Sequence, residues 1–275
     1  MKKLIGSIAL LLGAAFSAGA SVTDTVLVAT THLETPMKVT VITPDQALRG
    51  DSVPTVYILN GYGADYASWV TITEPNLGDF ADKYGMLLVM PDGRDSWYWD
   101  APANPEMQME TFFVEDLIPF IDSKYPTKRD PKQRAITGLS MGGHGSLWLA
   151  TRHPDVWGNM GSMSGGVNIM PFAEKWKMKR ALGEQADNKD VWEAHTVINL
   201  VPQMKENGQN IIFDCGSEDF FAGVNADLHQ RLLDAKVPHD YTSRPGNHSH
   251  KYWRNSIKYH LLYFDTKFNP EPAKK

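Results

Sequence analysis

A serine with the spacing expected of a nucleophile lies in the middle of the chain. Ser140 is part of Gly138-Leu139-Ser140-Met141-Gly142, which matches the pattern Gly-x-Ser-x-Gly. The motif follows a predicted strand and opens a predicted helix, so the chain must turn tightly at the serine. Such a turn exposes the hydroxyl and directs the Met141 amide and the helix N-terminus to one point, where an oxyanion could be held. The pattern predicts nucleophilic catalysis by Ser140; the alternative is a glycine-rich helix start with Ser140 as its N-cap.

Two downstream residues complete the chemistry that a serine nucleophile needs. A serine hydroxyl is a weak nucleophile and requires a neighbouring base, which a third group orients. In strand–serine–helix arrangements the partners follow in the order acid, then histidine. Asp219 lies in a turn after a predicted strand, and His248 lies in the loop after the last predicted strand. We therefore predict His248 as the base and Asp219 as the acid that orients it.

The residues alone leave alternatives for both partners. His250 is close enough in the same loop to replace His248 as the base, and Asp214 or Glu218 could replace Asp219 as the acid. His248 and His250 also form a His-x-His pair, but a zinc site needs a third ligand and no His-Glu-x-x-His motif is present. We expect no metal or organic cofactor.

A glycine-containing loop is the candidate for the second oxyanion donor. Asn60-Gly61-Tyr62-Gly63 follows a predicted buried strand. The two glycines would let the chain turn so that the Tyr62 amide faces Ser140, which makes the backbone amides of Tyr62 and Met141 the predicted oxyanion donors. An ordinary glycine-rich turn is the alternative.

Strand-like and helix-like segments alternate along the chain and predict an α/β fold. Such alternation favours a mostly parallel central sheet with helices on both faces. The predicted strands are 25–31, 37–42, 53–59, 86–90, 134–139, 160–164, 210–214 and 239–244. The predicted helices are 75–83, 109–124, 145–152, 225–235 and 251–264.

The N-terminal twenty residues have the layout of an export signal. Lys2 and Lys3 precede an apolar run from Leu4 to Phe16, and small residues ending in Ala20 follow. The run is too short to span a bilayer comfortably, which favours a cleaved signal peptide over a retained anchor. We expect cleavage after Ala20, a secreted or periplasmic location, and no stable membrane insertion afterwards.

The remainder, residues 21–275, is predicted to form a single catalytic domain, because one α/β domain often reaches this length. The segment 165–208 has the least regular pattern. We interpret it as an insertion at one edge of the sheet that shapes the substrate pocket.

Composition excludes several classes of protein. The chain has 275 residues, with 27 Lys and Arg against 32 Asp and Glu, for a net charge of -5. This weakly acidic balance argues against a nucleic-acid partner. Cys215 is the single cysteine, so an intrachain disulfide is excluded. We predict that Cys215 is a small buried side chain. The composition leaves the oligomeric state open.

Five local motifs resemble the esterase D-type branch of the α/β-hydrolases. This branch includes S-formylglutathione hydrolases, tributyrin and feruloyl esterases, and mycolyltransferases, and the resemblance runs from about Pro36 to about Phe264. The motifs are Leu59-Asn60-Gly61-Tyr62, Met90-Pro91-Asp92-Gly93 with Ser96-Trp97-Tyr98, Gly138–Gly145, the Asp-x-Gly-x-x-Asp-x-Phe loop Asp214–Phe221, and Gly246-Asn247-His248 with Tyr252-Trp253. The resemblance implies an α/β-hydrolase fold, with Asp219 as the acid and His248 as the base.

The expected activity is ester hydrolysis through an acyl-enzyme. The resemblance makes small acyl, acetyl or feruloyl esters of carbohydrates plausible substrates for an exported member. Transfer of the acyl group to a sugar hydroxyl, an S-formylglutathione-type thioester hydrolysis and a non-catalytic binding role stay open. Aromatic side chains expected near the pocket mouth would suit an aryl or sugar ring, and they would equally suit core packing. They are Trp69, Trp97, Tyr98, Trp99, Phe112 and Phe113.

Overall fold

The computed structural model of the chain describes residues 20–271. The predicted signal peptide therefore lies outside the described residues, except for Ala20. Within the described residues, no helix is both long enough and apolar enough to cross a membrane.

Eight strands form one sheet, and β-branched and other apolar residues fill its centre. The strand order is β1-β2-β4-β3-β5-β6-β7-β8. The β1–β2 and β2–β4 pairs are antiparallel and the other pairs are parallel, so the mostly parallel α/β sheet expected from the sequence is confirmed. The strands are β1 Val22–Val28, β2 Met37–Thr43, β3 Thr55–Leu59, β4 Leu87–Pro91, β5 Arg134–Gly138, β6 Asn159–Met163, β7 Asn210–Gly216 and β8 Asp240–Arg244.

Helices cover both faces of this sheet. They are α1 Asp45–Leu48, α2 Leu77–Tyr84, α3 Met109–Thr111, α4 Ile118–Lys124, α5 Met141–Arg152, α6 Lys179–Leu182, α7 Lys189–Ala194, α8 Val201–Asn207, α9 Ala222–Asp234 and α10 His250–Phe268. A π-helical segment, Phe112–Leu117, joins α3 to α4. Side chains alternate along β3: Val56 and Ile58 pack towards α2 and α10, whereas Tyr57 and Leu59 pack towards α4, α5, α8 and α9.

Several element boundaries differ from the predicted ones. The first strand begins at Val22 and ends at Val28, because its register pairs Val22 with Thr43 and Val28 with Met37. β3 begins only at Thr55, since Pro54 has no amide to donate to a neighbour.

The segment 165–208 does not lie at an edge of the sheet. It connects β6 to β7, which are neighbours inside the sheet, and the edge strands are β1 and β8. Its helices α6, α7 and α8 have only four, six and seven residues. Helices this short leave little amphipathic periodicity, which explains why the sequence pattern there is irregular.

Candidate active site

Ser140 occupies a strained turn between β5 and α5. Its backbone has φ 56° and ψ -116°, a conformation that non-glycine residues rarely adopt. The turn is tight because two flanking glycines lack a Cβ. A Cβ on Gly138 would lie 2.6 Å from the Gly142 carbonyl carbon, and a Cβ on Gly142 would lie 2.6 Å from the Leu59 oxygen. These close contacts explain why the Gly-x-Ser-x-Gly motif has glycine at both positions.

The three predicted partners form one chain of hydrogen bonds. The Ser140 Oγ lies 2.8 Å from His248 Nε2, and His248 Nδ1 lies 2.8 Å from Asp219 Oδ2 and 3.0 Å from Oδ1. Asp219 is buried, and its Oδ1 also accepts the Phe221 amide at 2.8 Å. The His248 Nδ1–H donates to the carboxylate, so Nε2 is left to accept the serine proton. The structure thus places a nucleophile, a base and an orienting acid in contact.

The alternative partners have other contacts. His250 Nδ1 lies 2.9 Å from the Thr73 Oγ1, and burial lowers the pKa of this histidine. Glu218 is exposed, and its amide donates to Gly246 at 2.9 Å. Asp214 is bound by Ser256 and His260. Neither His250 nor these two acids form the hydrogen bonds that join Ser140, His248 and Asp219.

Aromatic rings hold the His248 imidazole. The Phe220 ring lies 4.3 Å from it, the Trp253 ring lies 4.8 Å from it at right angles, and the Phe221 ring lies 5.5 Å from it. These contacts restrict the rotation of His248 between Ser140 and Asp219. The sequence motifs contained all three aromatic residues, but their spacing gave no sign that they surround the base.

The two predicted oxyanion donors flank Ser140. Met141 is the first residue of α5, so its amide has no partner within the helix. A Cβ placed on Gly61 would lie 3.4 Å from the Ser140 Cβ, so the loop containing Tyr62 passes directly beside the serine. Among residues 20–271 the Tyr62 amide donates no hydrogen bond. Both amides are therefore free to bind an oxygen atom next to Ser140.

Asn60 fixes the shape of this oxyanion loop, a function that the sequence reasoning missed. Its buried Nδ2 donates to the Gly61 oxygen at 3.0 Å and to the Ala64 oxygen at 2.9 Å. Its Oδ1 accepts the Gly93 amide at 2.8 Å, and the Tyr98 hydroxyl donates to the Asn60 backbone oxygen at 2.9 Å. The sequence feature that could have indicated this function is the Leu-Asn-Gly-Tyr motif, because Asn60 is part of it.

A neutral histidine supports the backbone behind the serine. Trp99 Nε1–H donates to His144 Nε2 at 2.9 Å, and His144 Nδ1–H donates to the Gly166 oxygen at 3.0 Å. Burial lowers the pKa of His144 to about 3, so the ring is uncharged at neutral pH. The Gly166 amide in turn donates to the backbone carbonyl oxygen of Ser140 at 3.3 Å. His144 therefore fixes the wall of the site without facing solvent.

Of the two interpretations of the six aromatic residues, the structure supports core packing and not a location at the pocket mouth. All of them are at most 2% exposed and are part of the hydrophobic core. The aromatic surface next to the site comes instead from Phe220, which is 54% exposed, and from half-buried Trp176, whose ring lies 6.0 Å from that of Phe220. Cys215 is buried as expected, and burial raises the pKa of its thiol.

Residues 30–264 match the family model described as "Putative esterase". The chain is 24% identical over 233 residues to an acetyl esterase of Caldicellulosiruptor saccharolyticus, covering 78% of this chain and 85% of that protein. It is 24% identical over 265 residues to a mouse (Mus musculus) S-formylglutathione hydrolase, covering 85% and 91%. A solved ferulic acid esterase structure has a TM-score of 0.78, 24% identity and coverage of 91% and 100%.

These findings define the class and the family. The fold is that of the α/β-hydrolases. The chain belongs to the esterase family whose model it matches, and it is a carboxylic ester hydrolase.

Proposed function

We propose that the protein is a serine esterase that hydrolyses small acyl, acetyl or feruloyl esters of carbohydrates through an acyl-enzyme. The observation that carries this proposal is the continuous hydrogen-bonded chain from the Ser140 hydroxyl through His248 to Asp219. No other described group is required, because this chain together with backbone amides supplies a nucleophile, a base and an oxyanion site.

The first half of the reaction forms the acyl-enzyme. His248 Nε2 takes the Ser140 proton while the serine oxygen bonds to the ester carbonyl carbon. Asp219 accepts the Nδ1–H of the resulting imidazolium and stabilises its charge without taking the proton. The imidazolium then gives its proton to the departing alcohol as the carbon–oxygen bond breaks. In the second half His248 activates water, which releases the acid and restores Ser140.

Charge on the carbonyl oxygen is stabilised by the backbone. The Met141 and Tyr62 amides would donate to the oxyanion, each contributing on the order of 3 kcal/mol to the lowering of the barrier. The Asn60 contacts hold the second amide in place before substrate arrives, so little reorganisation is needed during the reaction.

The substrate class rests on the relatives and on the aromatic surface. An acetyl esterase and a ferulic acid esterase are among the proteins that this chain resembles. The exposed Phe220 ring stacks on the Trp176 ring, with their planes inclined by 25°, and provides an aromatic surface 4.3 Å from the His248 ring. A feruloyl ring or a sugar ring could stack on such a surface.

Thioester hydrolysis is the second candidate. The mouse relative is an S-formylglutathione hydrolase, and the same nucleophile and oxyanion site would cleave a thioester. Acyl transfer to a sugar hydroxyl would differ only in the acceptor that attacks the acyl-enzyme. Mass spectrometry of products formed with and without an added sugar distinguishes transfer from hydrolysis.

We also propose export, on the basis of the basic, apolar and small-residue layout of residues 1–20. N-terminal sequencing of secreted or periplasmic material is expected to begin at Ser21. Exported protein that still begins at Met1 would contradict cleavage after Ala20.

Replacement of the nucleophile tests the proposed function. Ser140→Ala should lower hydrolysis of p-nitrophenyl acetate, methyl ferulate and S-formylglutathione by at least about a thousandfold, and should abolish phosphonate labelling. The ranking of wild-type kcat/KM across these substrates assigns the substrate class. Ser162→Ala is the matched control, because Ser162 is a buried serine on β6 whose hydroxyl has no partner in the described part of the chain. Activity retained in Ser140→Ala would refute the mechanism.

A further inference from the structure

A second buried histidine lies beneath the active site and contacts neither substrate nor the reacting atoms. His260 of α10 is fully buried. Its Nδ1 lies 2.7 Å from the Thr137 Oγ1 on β5, and its Nε2 lies 3.1 Å from the Asp214 Oδ2 on β7. Both ring nitrogens therefore have a partner, one on each of two strands that are not adjacent.

The two partners of His260 each lie a few residues before a residue of the active site in the sequence. Thr137 comes three residues before Ser140, and Asp214 comes five residues before Asp219. The strand β6 separates them in the sheet. It leaves room for the imidazole because residue 161 is glycine, where a Cβ would lie 2.6 Å from His260 Nδ1. The ring thus connects the strand that ends at the nucleophile to the strand that leads to the acid.

The neutralisation of Asp214 does not depend on His260. The Ser256 hydroxyl donates to Asp214 Oδ1 at 2.7 Å, and Arg244 lies 3.1 Å from Oδ2. A buried carboxylate with a guanidinium and a hydroxyl already has compensating partners. What His260 alone supplies in this cluster is the link from Asp214 to Thr137.

We propose that His260 is a positioning residue, which sets the spacing between Ser140 and the Asp219–His248 pair by joining Thr137 to Asp214. This inference rests on the proposed esterase function. The Thr137 hydroxyl donates to Nδ1, and Nε2–H donates to the carboxylate, so the ring holds one orientation. Small displacements of a nucleophile from its base reduce turnover strongly, whereas binding of substrate by the aromatic surface and the oxyanion loop does not require this link.

Thr137→Val tests the link without changing the volume of the core much. We expect kcat per phosphonate-titrated site to fall about tenfold or more while KM stays within about twofold. The matched control is Thr55→Val on β3, a buried threonine whose hydroxyl has no partner within residues 20–271. A merely structural effect would lower the thermal midpoint and the number of titrated sites, but would leave kcat per site unchanged.

The His260 variants provide a second measurement. His260→Gln retains an amide that can donate to Asp214, whereas His260→Phe retains only ring volume, so the Gln variant should keep more kcat per titrated site. Equal kcat per site in Thr137→Val and Thr55→Val would overturn the proposal while leaving the esterase function intact. A folded wild-type protein that neither hydrolyses esters nor takes a phosphonate would overturn both.

Discussion

The His248 imidazole has both nitrogens in use, and this makes it the most sensitive single residue of the site. Nδ1 contacts Asp219 and Nε2 contacts Ser140, each at 2.8 Å. His250 lies two residues further on and makes its own hydrogen bond with Thr73. The two histidines form a matched pair, since they share a chain segment and differ in their partners.

Replacement of each histidine by alanine separates their functions. His248→Ala should lower kcat by roughly a thousandfold or more, because Ser140 loses the acceptor for its proton. His250→Ala should retain kcat within about tenfold, because it removes a hydrogen bond with Thr73 and a ring contact with Trp253 but no hydrogen bond to Ser140 or Asp219. The measurement is hydrolysis of p-nitrophenyl acetate per mole of folded protein, with circular dichroism as the folding check, because a variant that lacks the base would not be titrated by a phosphonate. The reverse pattern would transfer the base to His250.

The choice of acid shows what residue types and spacing could and could not predict. Asp214 and Asp219 are both buried and lie on one strand–loop segment, so spacing alone does not separate them. Their partners do: Asp219 binds His248, whereas Asp214 binds Ser256 and His260 of α10. These partners lie tens of residues away, and only the fold brings them together. The order of the residues favoured Asp219 with Asp214 and Glu218 as alternatives, and the resemblance to the family pattern implied the same acid.

At the scale of strands and helices, the nucleophile was predictable because the elements that position it are neighbours in the sequence. The turn at Ser140 is local: it needs a strand, two glycines and a helix, all within nineteen consecutive residues, Arg134–Arg152. The helix begins at Met141 instead of the predicted Gly145, because Gly142 packs against the Leu59 and Asn60 oxygens. Helix propensity disfavours those glycines, but the close packing requires them. The serine and its turn were thus readable from sequence, and the exact helix start was not.

Other elements depended on contacts between distant segments. The helix predicted over 109–124 is present, but residues 112–117 form a π-helical segment. A one-residue shift in hydrogen bonding leaves the apolar face in place, so periodicity could not reveal it. The same limit applies to the short helices of 165–208. Where a segment is stabilised by neighbours from elsewhere in the chain, local pattern carries little information about its conformation.

At the scale of the whole molecule, buried histidines make the stability depend on pH. Burial lowers the pKa of His144 to about 3, and it also lowers the pKa values of His195 and His250. An unfolded chain would protonate these side chains near pH 6.5, whereas in the folded protein each of them takes up its proton only at a lower pH. Stability therefore falls as pH decreases below about 6.5. His32 acts in the opposite direction, because its hydrogen bond with Asp116 raises its pKa and stabilises the folded state at low pH.

The contribution of His144 sets the expected size of the effect. A proton that only the unfolded state binds lowers the free energy of unfolding by about 1.4 kcal/mol for each unit by which the pH decreases. His144 should therefore lower the free energy of unfolding by about 2 kcal/mol from pH 6.5 to pH 5. Urea denaturation at the two pH values measures this difference. In His144→Gln, which cannot be protonated but can still donate to Gly166, the difference should shrink by a similar amount. If this difference between the two pH values is the same in His144→Gln as in the wild type, His144 is protonated in the folded protein. The assignment of a neutral ring between Trp99 and Gly166 would then be wrong.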